Sequence, residues 1–126
     1  MTSSQGTDSL YGDGMRVRRE VLGDDYVDRT EAGKTEFDAP FLKFIVETAW
    51  GGVWPRPGLD RRTRSCITVA MMVALNREEE LALHLRAARN NGVTVDELKE
   101  VLLQTAVYCG LPAANAAYRV ASEVFG

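Results

Sequence analysis

The chain has 126 residues, of which 45% are hydrophobic and 26% charged. That is the make-up of one ordinary globular domain, not of a disordered tail, a fibre or a membrane-embedded chain. Fifteen basic against 18 acidic residues leave a net charge of −3, which argues against nucleic acid as the main partner, because phosphate binding needs a basic surface. No apolar run approaches ~18 residues, so no membrane span is expected. The opening MTSSQGTDSLYGDG has neither a basic start nor an apolar stretch, so no secretory signal is expected.

Cys66 and Cys109 are the only cysteines. A secreted disulfide scaffold would carry more, so both thiols are expected to act as small core residues in a reducing, cytoplasmic setting. His84 is the single histidine and has no partner at ligand spacing, so no metal site is expected.

Residues 1–14, rich in Ser, Gly and Asp, are expected to form a flexible arm ahead of one helical domain over residues 15–126. Strand alternation is almost absent. Arg16 to Leu22 predicts a short helix ending at Gly23, and Asp25 to Ala32 another. Asp38 has the character of an N-cap, with Pro40 in the first turn of a helix running to Ala49 or Trp50. There Phe41, Phe44, Ile45, Thr48 and Ala49 follow the helical period.

Asp60 is placed to cap the next helix, RRTRSCITVAMMVAL, whose segment from Cys66 to Leu75 is apolar nearly all round and so predicts burial on every face. Arg77 to Asn90 follows, closed by Asn90-Asn91-Gly92. Thr94 and Glu97 form a capping box for a helix whose stripe is Leu98, Val101, Leu102, Thr105, Ala106 and Cys109. Gly110 ends it, and Pro112 opens the last helix, which runs to about Val124. The expectation is an all-α fold of five to six helices. Helices this apolar are hard to bury in one small monomer, so a homo-oligomer is expected.

Three features can carry chemistry. Arg61, Arg62 and Arg64 crowd the first turn of the apolar helix, with Arg56 just before it. A helix start is electropositive, so cations there call for an anion. Either acidic side chains or a carboxylate or phosphate ligand can supply it. His84 sits mid-helix with Glu80 one turn earlier. It is either a histidine satisfied by a neighbour or an acid–base group working near neutrality. Trp50 and Trp54 flank a Gly-Gly turn and either cap the core or wall a pocket.

Three segments go further: W-x-x-V-W-x-R-P-G-L-D-R-R-T-R-S, the H-L-R-A-A-R-N-N-G block, and Y-C-G-x-P-A-A-N-A-A, preceded by GMRVRREVLGDDYVDR. Together they cover about residues 14–125 and closely resemble the carboxymuconolactone decarboxylase family. The resemblance implies an alkyl hydroperoxidase D-like helical bundle, assembled as a trimer or hexamer. It also implies a cytoplasmic role in the protocatechuate branch of the β-ketoadipate pathway. The reaction it implies turns 4-carboxymuconolactone, a small dicarboxylate lactone, into 3-oxoadipate enol-lactone and CO₂ with no cofactor. Hydroperoxidase relatives carry a C-x-x-C four residues before a histidine. In that frame His84 matches the histidine, while Arg77 and Glu80 stand at the cysteine positions, so peroxidase activity is not expected.

The lost carboxylate leaves its electron pair to a double bond conjugated with the lactone carbonyl. The sink is therefore in the substrate, and the enzyme has to hold the acetate arm, stabilise the oxyanion and deliver a proton. On this reading Arg61, Arg62 or Arg64, with Arg89, bind carboxylates. Trp50, Trp54 and Met71 are apolar walls for the departing group, since a cation there would favour the ground state. His84 is the proton donor or oxyanion donor, and Glu80 or Glu47 orients it. Two other readings stand beside this one: a thiol peroxidase using Cys66 or Cys109, and a non-enzymatic helical oligomerisation module.

Overall fold

The computed structural model describes residues 3–126, with side chains from Ser9 onward. The regular structure of the described residues is all helical, in seven α-helices and one π-helical turn, more than the five to six expected. The chain groups into two compact units, Met1–Leu59 and Asp60–Gly126.

The first unit holds α1 (Ser3–Leu22), α2 (Asp24–Ala32), α3 (Ala39–Ile45) and a π-helical turn, Val46–Trp50. The arm expected over residues 1–14 is part of α1 from Ser3 on, and Met1 and Thr2 lie outside the described residues. Gly23 breaks the chain between α1 and α2 at φ 93°, a left-handed conformation that suits a residue without Cβ. Arg18 is buried at the α1–α2 junction and pairs with Glu31 at 3.3 Å, and Glu31 also holds Lys34.

Gly14 lets α1 approach the π-helical turn. A Cβ there would run into the backbone carbonyl of Val46, which no rotamer could relieve. The core of this unit is Val17, Val21, Trp50 and Trp54, with the two indoles stacked at 5.2 Å and 27°.

One expectation is realised only in part at α3. Asp38 stands at its N-cap but caps no helical N–H; its carboxylate accepts instead from the backbone N–H and hydroxyl of Thr35. Phe41 and Phe44, read as part of the helix's apolar periodicity, are exposed.

The second unit contains α4 (Arg61–Ala74), α5 (Glu78–Asn90), α6 (Val95–Cys109) and α7 (Leu111–Phe125). Its core joins Val69, Val73, Leu81, Leu85, Ala88, Leu98 and Leu102 with Ala117 and Val120. The local signals are realised closely. The Asp60 side chain accepts from the Thr63 N–H at 2.7 Å, and Thr94 and Glu97 form the capping box. Gly92 and Gly110 take positive φ at the ends of α5 and α6. One stop was not legible beforehand: Asn76 adopts φ 62° and turns α4 into α5 within three residues, a conformation asparagine tolerates.

Burial of α4 on every face does not occur. Ser65, Val69 and Val73 are buried, but Ile67, Met71 and Leu75 are 41, 47 and 59% exposed. Within the unit α4 packs on α5, α6 and α7, and these neighbours leave Ile67, Met71 and Leu75 partly uncovered.

Candidate functional site

Of the candidate residues, Glu47, Trp50 and Trp54 belong to the first unit, and Arg61, Arg62, Arg64, Glu80, His84 and Arg89 to the second. The tryptophans are core residues, 7 and 9% exposed and stacked on each other against Val17 and Val21. Of the two readings of the pair, their burial accords with capping the core. An indole pair with so little free surface is held by burial of its own apolar area. Met71, the third expected wall, is exposed.

Glu47 rides on the π-helical turn, a geometry frequent at functional sites. Lys43 approaches its Oε2 at 3.6 Å, too far for a hydrogen bond. That oxygen is buried with no hydrogen-bond partner among the described residues.

In the second unit the arginines gather at one end of the α4–α5 hairpin. Arg62 reaches across to the α5–α6 loop and the start of α6. Its guanidinium donates to the Gly92 carbonyl and, fork to fork, to Glu97 Oε1 at 3.1 Å and Oε2 at 2.6 Å. The same pairing, with the Thr94 backbone N–H, holds the Glu97 carboxyl down at about 2. The anion called for at this helix start is therefore acidic side chain for Arg62, and its fork is filled.

Arg89 donates to the Val93 carbonyl at 2.9 Å, bracing the loop after α5. Asn91 Nδ2 donates to the buried Ser65 hydroxyl at 2.9 Å, so the start of α4 lies level with the end of α5. Ser65 was not singled out from sequence, and Asn91 only as part of the signal that ends α5. Polar residues this ordinary carry no signal until the hairpin brings them together.

His84 lies seven residues before Asn91, about 10 Å of helix rise from the arginine end. It is half-buried among the core residues Leu81, Leu85, Ala87 and Ala88 of α5. Burial pushes its pKa below the ordinary 6.5, and the nearby Glu80 charge opposes this only in part. Nδ1 is buried and has no hydrogen-bond partner among the described residues. Glu80 is exposed, one turn away, and makes no hydrogen bond to the ring.

Two open grooves mark the α6 side of this unit. One of about 480 Å³ lies between α6 and α7 and includes Lys99, Tyr118 and Phe125. The other, of about 470 Å³ between α4 and α6, includes Cys66, Tyr108 and Cys109. Neither is lined by His84 or an arginine. Burial pushes the Cys66 thiol pKa up, away from thiolate. Among the described residues there is no group of three or more His, Cys, Asp or Glu side chains that could hold a metal ion. No described helix is long and apolar enough to cross a membrane.

Comparison with known proteins adds what geometry alone does not. The chain is 54% identical over 115 residues to the 4-carboxymuconolactone decarboxylase of Acinetobacter baylyi, spanning 91% of this chain and 86% of that one. It is 47% identical over 103 residues to the nitrosuccinic acid decarboxylase of Metarhizium robertsii, spanning 82% and 72%. An uncharacterized 15.0 kDa protein of Paracoccus denitrificans is 30% identical over 83 residues, or 64% of this chain and 62% of the relative. Residues 39–123, from the start of α3 nearly to the end of α7, match the carboxymuconolactone decarboxylase family, and the chain belongs to that family.

Proposed function

We infer that this protein decarboxylates 4-carboxymuconolactone to 3-oxoadipate enol-lactone and CO₂. The observation that carries the reading is the 54% identity, over 91% of the chain, to a decarboxylase of that name. The chemistry asks little of the protein. The bond to the carboxylate on the saturated ring carbon breaks, and its electron pair moves through the ring double bond onto the lactone carbonyl oxygen. A proton then adds to the carbon α to that carbonyl. No pyridoxal, thiamine or metal is needed as a sink, and the reading carries no cofactor.

Arg61 and Arg64, with Arg89, are the residues for the carboxylates. Arg62, with its fork already on Glu97, serves as a brace that positions this end of the hairpin. His84 meets the reacting end as proton donor or oxyanion donor, with the Glu80 charge one turn away on the same helix acting on it. The test is to supply freshly generated 4-carboxymuconolactone, without added metal or cofactor, and follow its ultraviolet absorbance.

A second substrate is favoured by the 47% identity to a nitrosuccinic acid decarboxylase. Nitrosuccinate also carries the departing carboxylate and a carboxymethyl arm on one saturated carbon. Its nitro group is likewise a sink that ends on oxygen. Nitrosuccinate offered in the same assay, with CO₂ as readout, tests whether this chain accepts that variation.

The protein works as a homo-oligomer, a trimer or hexamer with an alkyl hydroperoxidase D-like bundle in each subunit, in the cytoplasm and on the β-ketoadipate route. In support, Ile67, Met71 and Leu75 of α4 and Leu103 and Val107 of α6 expose apolar surface that a monomer would leave in water. The thiol peroxidase reading is weakened by the raised Cys66 pKa, since the thiolate is the nucleophile. A Cys66→Ser, Cys109→Ser double variant that decarboxylates at the wild-type rate, with no peroxide consumption by either protein, removes it.

A further inference from the structure

We propose that Ser65 and Asn91 are positioning residues for the reaction: their hydrogen bond sets the spacing of Arg61 and Arg64 on α4 against Arg89 on α5. This rests on the decarboxylase reading above and adds to it two residues that touch no substrate.

The bond is short in space and long in sequence. Asn91 Nδ2 donates to Ser65 Oγ at 2.9 Å across 26 positions. Ser65 is 1% exposed and is one of the buried residues of α4, with Val69 and Val73. Alanine would fill that place as well, and a buried hydroxyl stabilises little once its lost hydration is counted. What a satisfied polar pair adds is one defined arrangement. A slip of α4 along α5 would leave the amide and the buried hydroxyl unpaired, which an apolar contact would not resist in the same way.

The residues assigned to the carboxylates flank both partners. Arg64 directly precedes Ser65, and Arg89 stands two residues before Asn91. The loop after α5 is stitched one residue at a time: the Asn91 side chain to Ser65, the Gly92 carbonyl to Arg62, and the Val93 carbonyl to Arg89. These ties differ in kind. Arg62 is a long, exposed side chain with its fork on Glu97, so it holds the loop to α6. Arg89 binds the chain just beyond its own helix. The Ser65–Asn91 bond is made by two short side chains, and it fixes the start of α4 against the end of α5.

A carboxylate gripped from two helices feels any shift between them. Charge-assisted hydrogen bonds are short and directional, and a displacement of about 1 Å is enough to lose their benefit. The acetate arm of the lactone stays on the molecule while CO₂ leaves, so its grip is the same in the ground state and the transition state. Loss of the spacing therefore raises KM and leaves kcat in place.

The test uses Ser65→Ala, Asn91→Ala and the double variant, assayed with 4-carboxymuconolactone well below their melting temperatures. Val120→Ala, a core change on α7, serves as the control for lost stability alone. Asn91 is only half-buried, so its variant keeps the test open should the Ser65 variant fold poorly. Each single variant is expected to raise KM about tenfold with kcat within about twofold of wild type. The double variant is expected to raise KM no further, because the same bond is lost in all three. Val120→Ala is expected to lower the melting temperature and leave KM unchanged.

Unchanged KM in the folded single variants, additive rises in the double variant, or an equal rise in Val120→Ala overturns the inference, while turnover by the wild type keeps the decarboxylase reading. A wild-type protein that does not turn over the lactone overturns both.

Discussion

Arg62 and Glu97 stand 35 positions apart in sequence and meet fork to fork, with Arg62 also bound to the Gly92 carbonyl. One arginine thus joins the first turn of α4, the glycine that ends α5 and the capping box that starts α6. It is a brace between three helices before it is anything else.

The acid limb of stability should show this brace. The Glu97 carboxyl ionises at about 2 in the folded chain against an ordinary 4.5. A depressed carboxylate contributes stability that is complete above the unfolded value and is lost as pH falls toward the folded one. Glu97→Gln is therefore expected to lower the melting temperature at pH 6 and to flatten its fall between pH 4.5 and pH 2. Arg62→Ala should lower it as well, with KM little changed. A large rise in KM at unaltered melting temperature would return Arg62 to the substrate.

Two glycines of α1 should respond oppositely to the same change. Gly12 has open space where a Cβ would stand, whereas a Cβ on Gly14 collides with the Val46 carbonyl. Gly12→Ala is expected to stabilise by about 0.5–1 kcal/mol through helix propensity and chain entropy. Gly14→Ala is expected to cost about 1–3 kcal/mol as overpacking against the π-helical turn. Denaturant melts of the two variants check both signs.

Trp54 should behave as a core residue. Stacked on Trp50 and 9% exposed, its replacement by alanine is expected to cost about 3–5 kcal/mol. Folded protein recovered at low temperature should keep the wild-type KM. A raised KM with little loss of stability would restore it as a substrate wall.

These cases mark what the sequence made legible. Asp60, Thr94 with Glu97, Gly92 and Gly110 were readable because capping chemistry is decided within a few residues. The Arg62–Glu97 brace was not, since its partner is fixed by tertiary packing. Nor was the π-helical turn at Val46–Trp50, where one extra residue per turn leaves no mark in composition. Composition marked α4 as apolar but could not tell the face buried within the unit from the one left exposed. His84 was visible as a lone imidazole; that its Nδ1 is the orphaned nitrogen came only with the packing around it.

The outward apolar stripe yields a prediction of its own. Val107 is 76% exposed and Met71 47%; in the homo-oligomer proposed above, a carboxylate at either would be stranded in an apolar subunit contact. Val107→Glu and Met71→Glu are expected to reduce the mass seen by light scattering while helical content is retained. Unchanged mass in both would place the subunit contact elsewhere.

The most direct test of the account is stoichiometric. Purified protein, treated with a chelator and dialysed, is given fresh 4-carboxymuconolactone while ultraviolet absorbance and CO₂ are followed together. The account predicts loss of the lactone with one CO₂ released per molecule, at the same rate with and without chelator. A lactone signal no faster than the spontaneous rate, or activity that returns only on adding metal, would contradict it.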